Sequence, residues 1–429
     1  MKVRNSLNDP PSLNVGGSSL RVIIHRGSHQ IGGSCVEIAS DSTRLILDAG
    51  LPLESSGPMV LPPVPGLFGE GPHVDAILLS HSHPDHSGLL DQTKPEIPFY
   101  LTRGTSKMLM AGEIFAKGSK LPRARQRAVN FRQRVEIGDF AVTPHAVDHS
   151  VFGAVAWLVE HPSGRILYSG DLRMDGRKTG MAQDLVKALS GKPVDALLLE
   201  GTHFSESGRS RCVGERQLEK EIGRLVRSSP GLVLAMFSPQ NLDRLVTFYK
   251  AARHAGRVFV VDLYGAFVMN LLRSEVRIPP PSAKAGIRVF FPTYRPRNIG
   301  KIEHQVESAR ISLDEVIATP DRFVMLARTT MLEPEFGGRL PAGTRALYSM
   351  WSGYRSQPRF VKFERALGEA GGDMIECHTS GHASVEDLVD FVRQLQPKRV
   401  IPMHTTRPEA MRLYFAQTEI VNDGEIIEI

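Results

Sequence analysis

The feature that decides the fold of this chain is a ligand-rich stretch, Ser80-His81-Ser82-His83-Pro84-Asp85-His86-Ser87-Gly88. It follows the apolar run 74–79, which is typical of a buried strand, so the stretch is predicted to be the loop at the carboxyl end of that strand. His81 and His83 alternate by two, which lets both rings face one ion, and Asp85 and His86 follow where the chain can turn toward a second ion. Imidazole nitrogen with carboxylate oxygen suits zinc, with manganese or iron as alternatives. The cluster therefore predicts a metal site.

Length and composition indicate more than one domain. The chain has 429 residues and a net charge of +6, and 41% of its residues are hydrophobic. This length exceeds one ordinary core, so two domains, or one domain with a large insertion, are expected. The modest positive charge is compatible with a nucleic-acid partner but does not establish one.

Three features bear on localisation. No apolar run approaches the length of a membrane helix, so no membrane partner is expected. Residues 1–19 are polar, lack the apolar core of a secretory signal and are predicted to be a flexible tail. Cys35, Cys212 and Cys377 have neither zinc-finger nor disulfide spacing, which indicates a reducing compartment. A cytoplasmic protein is expected, and a homodimer remains an open alternative.

The pattern of predicted elements changes twice along the chain. Residues 20–204 contain short strands and turns, with antiparallel pairing expected at the start. From residue 205 to 370 helices and strands alternate, which predicts a separate parallel α/β unit. Residues 371–429 return to strands that end in acids or histidines. Helices are predicted at 213–228, 241–255, 264–273 and 385–395.

Acids and histidines recur at successive strand ends throughout the first and last of these segments. In an α/β fold, strand ends on one side of the sheet build the active site, so distant positions are expected to converge on one metal centre. Any one of these residues alone would more often be an ordinary hydrogen-bonded polar group. Their shared placement favours a functional role for the set, which comprises Asp48, His81, His83, Asp85, His86, His149, Asp171, Glu200, His378, His382 and His404.

At this level of detail the chain resembles the metallo-β-lactamase fold of hydrolases. The matches besides the His-rich loop are Gly32-Gly33-Ser34-Cys35, Leu47-Asp48-Ala49-Gly50, Asp148-His149-Ser150 and Ser169-Gly170-Asp171. Three further segments resemble the β-CASP branch, the nucleases that include RNase J and the mRNA 3′-end cleavage endonuclease: Leu199-Glu200-Gly201-Thr202, Thr379-Ser380-Gly381-His382-Ala383 and Ile401-Pro402-Met403-His404. The resemblance implies an α/β fold, a metallo-β-lactamase αββα sandwich with an inserted β-CASP domain.

The resemblance also implies a role for each site residue. His81, His83 and His149 would bind one Zn²⁺, and Asp85, His86 and His404 a second, with Mn²⁺ as an alternative metal. Asp171 would bridge both ions, and Asp48 would support the His-rich loop from outside the ligand set, as metal ligands commonly require. The catalytic residues would be Asp85, Glu200 and His382, with Glu200 orienting His382 or His404. His378 and Ser380 would hold a substrate phosphate.

The implied chemistry is hydrolysis of RNA to products with a 5′-phosphate and a 3′-hydroxyl. Two neighbouring metal ions acidify a water and clamp phosphate oxygens. His382 is the candidate for protonating the departing ribose oxygen, because an imidazole titrates near neutrality and this one is not needed as a ligand. The alternatives are a DNA nuclease of the same architecture, a small-molecule ester, thioester or lactone hydrolase, and a catalytically silent scaffold. The insertion disfavours the small-molecule hydrolase, and the complete ligand set disfavours the scaffold.

Candidate RNA contacts lie outside the metal ligands. The basic run 117–134 has no acid and is read either as a solvated face or as a phosphate-contacting strip. Residues 294–297 add two arginines beside a tyrosine. Tyr348, Trp351 and Tyr354 are candidates for stacking on bases, with ordinary core or rim packing expected for at least two of them.

Overall fold

The computed structural model describes residues 19–53, 60–116, 118, 120–205 and 213–429. The predicted tail other than Ser19, the cysteine at 212 and the lysine at 117 lie outside these residues. Among the described residues, no helix has the length and apolar character needed to cross a membrane.

Three sheets account for the strands of the described chain. The strands are β1 Arg21–Arg26, β2 Cys35–Ala39, β3 Arg44–Leu47, β4 Ala76–Leu78, β5 Phe99–Thr102, β6 Gln126–Val129, β7 Val135–Ile137, β8 Phe140–Ala146, β9 Val155–His161, β10 Gly164–Tyr168, β11 Ala196–Glu200, β12 Val233–Met236, β13 Val258–Asp262, β14 Ile287–Phe290, β15 Arg310–Ile311, β16 Phe323–Leu326, β17 Arg345–Tyr348, β18 Met374–Glu376, β19 Arg399–Met403 and β20 Ile426–Glu428.

The α-helices of the described chain cover the sheets. They are α1 Pro84–Ser87, α2 Arg103–Phe115, α3 Met181–Leu189, α4 Glu215–Ser228, α5 Leu242–His254, α6 Leu263–Leu272, α7 Gly300–Val306, α8 Leu313–Ala318, α9 Pro358–Glu369, α10 Val385–Leu395 and α11 Pro408–Met411. The helices predicted from hydrophobic periodicity correspond to α4, α5, α6 and α10, and their ends differ from the prediction by two residues at most.

The first two sheets form a sandwich. Their strand orders are β20-β1-β2-β3-β4-β5-β6 and β19-β11-β10-β9-β8-β7. The core between them contains buried side chains of both sheets, such as Val22 and Ile24 from β1 and Trp157 from β9. Helices α3 and α10 cover the outer face of the second sheet, where Leu185 and Phe391 are buried. The predicted αββα sandwich is confirmed.

The third sheet, β15-β14-β13-β16-β12-β17-β18, is parallel and belongs to the insertion. Helices α4, α5 and α6 pack on one face and α9 on the other, as alternating helix and strand patterns predict. Met108 and Ala111 of α2 share the core of the first face, so this helix joins the sandwich to the insertion. The domain boundaries stay predictions, but pairing of β18 with β17 favours a second boundary after Glu376 rather than at 370.

Strand direction explains why the site residues meet. The strands β3 and β4 are parallel in the first sheet, and β10, β11 and β19 are parallel in the second. Asp171, after β10, lies 3.6 Å from His81 and 3.2 Å from His86, which follow β4, so both sets of carboxyl ends lie at one edge of the sandwich. The residues that follow these ends include Asp48, His81, Asp171 and His404. The inserted domain begins shortly after β11, at the same edge of the sandwich. The insertion therefore starts beside the candidate site.

Candidate metal centre

The His-rich stretch begins as a loop after β4 and then forms the one-turn helix α1. Pro84 occupies the first turn, where its missing N–H costs nothing because that donor has no partner within a helix. The turn separates Asp85 and His86 from His81 and His83, so the stretch presents ligands in two directions. His81 and His86 are buried, with 0% and 1% of their surfaces exposed.

The first ligand group consists of His81, His83 and His149, whose ligand nitrogens all lie within 4.8 Å of one another. His83 Nδ1 and His149 Nε2 are 3.0 Å apart. His149 Nδ1 donates to the carbonyl of Gly381 at 2.5 Å, which leaves its Nε2 free to act as a ligand. This bond fixes the ring orientation, a common arrangement for metal-binding histidine.

The second group consists of Asp85, His86, Asp171 and His404. His404 Nε2 lies 3.2 Å from Asp85 Oδ2, and His86 Nε2 lies 3.2 Å from Asp171 Oδ2. His404 has a φ of +51°, a left-handed conformation that is uncommon for a residue with a Cβ and tends to occur at functional sites.

Asp171, a member of the second group, also lies close to the first group. Its Oδ2 is 3.2 Å from His86 Nε2, 3.6 Å from His81 Nε2 and 3.8 Å from His149 Nε2. One carboxylate is therefore within reach of ligands from both groups.

The residues present fit divalent metal ions. His81 Nε2, His86 Nε2 and Asp171 Oδ1 are buried and have no hydrogen-bond partner among the described residues. Such atoms are costly to bury unless something else satisfies them, and both nitrogens lie within 4 Å of the Asp171 carboxylate. Imidazole nitrogen and carboxylate oxygen are donors that suit Zn²⁺.

Asp48 stabilises the His-rich loop through hydrogen bonds to Ser80 and His86. Its Oδ2 accepts hydrogen bonds from Ser80 Oγ, His86 Nδ1 and Tyr168 Oη, each at 2.7 Å, and its Oδ1 accepts from the Ser80 amide at 2.7 Å. The bond from His86 Nδ1 places the proton on that nitrogen and leaves Nε2 for a metal. Asp48 also has a left-handed φ of +60°.

Comparisons with known proteins agree with this geometry. The beta-lactamase superfamily domain matches residues 43–228, and the Zn-dependent metallo-hydrolase RNA specificity domain matches residues 373–419. These two matches support the predicted assignment of the chain to the β-CASP branch of the metallo-β-lactamase superfamily.

Relatives of this chain include proteins named Ribonuclease J. The one from Mycolicibacterium smegmatis is 26% identical over 92% of this chain and 70% of its own length. The one from Sinorhizobium meliloti is 24% identical over 81% of this chain and 60% of its own length. A solved structure from Enterococcus faecalis, of a protein of unknown function, has a TM-score of 0.80 and 21% identity, and the match covers 96% of this chain and 100% of that one. This last likeness concerns the fold alone.

His382 lies beside the ligand groups and faces two carboxylates. Its Nδ1 is 3.3 Å from Glu200 Oε1 and 3.9 Å from Asp171 Oδ2. Burial alone would lower the pKa of His382, but Glu200 and then Asp171 outweigh it and raise the pKa to about 9. His382 in turn lowers the pKa of the buried Glu200 carboxyl. Glu200, His382 and His404 also form a third set of side chains close enough to share an ion.

The two predicted phosphate-binding residues of the β-CASP chain lie in the segment that leads to His382. Ser380 is buried, and its Oγ accepts from the His382 amide at 3.1 Å. His378 is partly exposed, with its Nδ1 3.4 Å from Arg244 Nη1. Both residues are thus near the centre, and their contact with a substrate stays a prediction.

Two features of the site were not predicted. Thr202 Oγ1 lies 2.9 Å from His404 Nδ1 and 3.1 Å from His382 Nδ1, so one hydroxyl connects a ligand with its neighbour. Thr202 lies two residues after Glu200 in the motif Leu199-Glu200-Gly201-Thr202, and this position could have indicated a role in the site.

The second unpredicted feature is a buried ionic network between sandwich and insertion. Arg173 pairs with Asp148, Glu215 and Asp243. The oxygen that Arg173 contacts on Glu215, Oε1, is also 3.1 Å from Arg244 Nη2, so two arginines share one carboxylate oxygen. Arg244 and Glu215 are both fully buried. No sequence motif marked this network, because its members lie on separate elements.

The candidate RNA contacts differ in whether their side chains are exposed to solvent. Tyr348 is fully buried, which is the core packing expected as the alternative to stacking, whereas Trp351 and Tyr354 are 53% and 40% exposed. In the basic run, Arg125 is buried with its guanidinium 3.9 Å from the Phe99 ring centroid, so it serves packing rather than phosphate binding. The other described arginines of the run, at 123, 127, 132 and 134, are exposed.

Proposed function

We propose that the protein is a metal-dependent ribonuclease that hydrolyses phosphodiester bonds to 5′-phosphate and 3′-hydroxyl products. The observation that carries the proposal is the position of Asp171, whose carboxylate lies within 4 Å of imidazoles from both ligand groups and of His382. RNA is favoured as the substrate because residues 373–419 match an RNA specificity domain and the relatives are named Ribonuclease J.

The two ligand groups are proposed to hold two Zn²⁺ ions. His81, His83 and His149 would hold one, Asp85, His86 and His404 the other, and Asp171 would contact both. When bound, such ions lower the pKa of a water to near neutrality and polarise the oxygens of a phosphate. Asp48 and the Gly381 carbonyl keep His86 and His149 in the tautomers that leave Nε2 free.

His382 is proposed to hold the proton that the departing ribose 3′-oxygen needs. Glu200 accepts from His382 Nδ1 and so stabilises the protonated ring, with Nε2 directed away from that carboxylate. His378 and Ser380 are proposed to contact the substrate phosphate, because both lie in the short segment that leads to His382. His378 is close to the Arg244 guanidinium, and Ser380 accepts from the His382 amide.

Digestion of end-labelled RNA tests the proposal. Metal-replete protein should cleave RNA that carries a 5′-monophosphate or a 5′-triphosphate, and a chelator should abolish cleavage. Progressive release of mononucleotides would indicate exonuclease action and discrete fragments endonuclease action. A matched DNA strand is the control. Cleavage of DNA alone would replace ribonuclease by DNA nuclease, and no cleavage of either polymer would refute the proposal.

A further inference from the structure

Trp351 and Tyr354 form an exposed aromatic pair on the insertion. They lie just after β17, in and beside the 3₁₀ turn Ser352–Ser356. Trp351 is 53% exposed and Tyr354 40% exposed, and their ring centroids are 5.3 Å apart in an edge-to-face arrangement. Large aromatic faces in water are costly, so a pair kept in this way indicates a contact surface.

The pair is held in a fixed geometry. The hydroxyl of the buried Tyr348 donates to the Trp351 carbonyl at 2.6 Å. At Gly353, a Cβ would lie 2.4 Å from the Trp351 ring, so the indole packs directly over the Gly353 backbone and a side chain there would displace the ring. Side chains that are already ordered lose little entropy when they bind a ligand.

The same loop is anchored beside the metal centre. The Cys377 amide donates to the Tyr348 carbonyl at 2.8 Å. The Arg244 guanidinium donates to the carbonyl of Ser349 at 3.1 Å and to that of Thr379 at 3.3 Å, so one side chain joins the start of the aromatic loop to the segment that carries His382.

An exposed cation follows the aromatic pair in the sequence. Arg359 lies at the start of α9, five residues after Tyr354, and is exposed. Aromatic faces and a nearby cation together suit a strand that carries both bases and phosphates.

We propose that Trp351 and Tyr354 form a stacking platform that binds one unpaired base of a single-stranded RNA substrate next to the metal centre. The proposal rests on the ribonuclease function proposed above and adds a binding subsite on the insertion. Aromatic stacking accepts every base, because each has a π-face, but it requires that the base be unpaired. The platform contacts no reacting atom, so it affects substrate binding and not the chemical step.

Kinetics of single-stranded RNA cleavage test the platform. Trp351→Ala and Tyr354→Ala should each raise KM about 10- to 100-fold, with kcat within about threefold of wild type. Trp351→Phe, which keeps an aromatic face, should recover most of the loss. Tyr414→Ala is the matched control, because Tyr414 is 54% exposed and packs edge-to-face on Phe204 at 5.5 Å. Metal content and Tm of each variant verify that the site and the fold are intact.

Abasic substrates separate a base contact from a structural effect. A substrate series with one abasic ribose at successive positions should show a rise in KM at one position for the wild type. Trp351→Ala should show no further rise at that position, because the contact is already lost. Unchanged KM in both alanine variants, or an abasic penalty that is the same in wild type and Trp351→Ala, would overturn the platform.

Fluorescence decides the matter even if the protein fails to cleave RNA. The chain has two tryptophans, and the other one, Trp157, is fully buried. A single-stranded oligouridylate with phosphorothioate linkages, which resist hydrolysis, should quench the Trp351 emission of the metal-replete protein, and Trp351→Phe should show no quenching. Quenching in a protein that does not cut RNA would support the platform while the ribonuclease proposal fails. No quenching would overturn the platform by itself.

Discussion

Replacing Asp48 with asparagine is expected to weaken metal binding at the second ligand group by about 10- to 100-fold. The amide must keep its oxygen toward the Ser80 N–H, which can only donate, so its NH₂ group takes the place of Oδ2. The Ser80 and Tyr168 hydroxyls can rotate and accept from this group. His86 Nδ1 can accept only if its proton moves to Nε2, the nitrogen that the metal needs.

The magnitude follows from the bond that is lost. A hydrogen bond to a charged partner contributes about 1.5–3 kcal/mol, and each 1.4 kcal/mol corresponds to about tenfold in affinity. The expected loss is therefore about one to two orders of magnitude, and it should be confined to the ion at Asp85, His86 and His404. The group of His81, His83 and His149 keeps its own orienting bond to Gly381 and should be affected less.

Competition between the protein and a fluorescent zinc chelator, with metal counted per chain after dialysis, measures this loss. Tyr168→Phe is the control, because it removes one hydrogen bond to the same oxygen but keeps the charge and the His86 partner. Its zinc affinity should stay within about threefold of wild type. If Asp48→Asn binds two ions as tightly as wild type, Asp48 does not set the His86 tautomer.

Three further predictions concern the proton donor and the buried charges. His382→Ala should keep its metal content but lose about 10²- to 10⁴-fold in kcat on RNA; full turnover in a metal-replete variant would exclude the proposed role. Glu215→Gln should destabilise the protein by about 3–5 kcal/mol, since two buried guanidiniums lose their shared counter-charge. The control is Glu333→Gln, at an exposed pair with Lys362, which should cost at most about 1 kcal/mol. Equal urea midpoints for the two variants would contradict this prediction. Burial raises the pKa of Asp175 to about 6 from 3.8, so the stability that its protonated form contributes is full below pH 4 and is lost as the pH rises through 6. Asp175→Asn should therefore gain stability relative to wild type between pH 4 and pH 7, by at most about 3 kcal/mol, and parallel pH profiles of the two proteins in urea unfolding would refute the shift.

The sequence by itself indicated a metal site and a separate α/β insertion, and its resemblance to a known family implied the sandwich and the candidate ligands. Candidate ligands such as Asp171 and His404 stand next to a glycine or directly after an apolar strand, a local pattern that remains visible without contacts. Helices such as α10 have an apolar face at helical spacing, so their ends were predicted closely.

The exposure of single side chains could not be predicted in this way. Tyr348 and Trp351 are only three residues apart, yet one is fully buried and the other is half exposed. Arg125 lies in a run of basic residues but is buried against Phe99. Exposure depends on which elements pack over a residue, and the local pattern does not contain that information.

The ligand-rich stretch 80–88 illustrates the same division. Its donor atoms follow from the sequence, and so does the prediction of a metal site. The family resemblance implied that Asp171 contacts both ions and that Asp48 supports the His-rich loop. Only the tertiary structure gave the distances from Asp171 to both ligand groups, the His86 nitrogen that Asp48 contacts, and the link that Arg244 makes between the aromatic loop and the segment of His382. The physical reason is that a ligand type is a property of one residue, whereas a shared ligand, a tautomer and an anchored loop depend on distances between residues far apart in the chain.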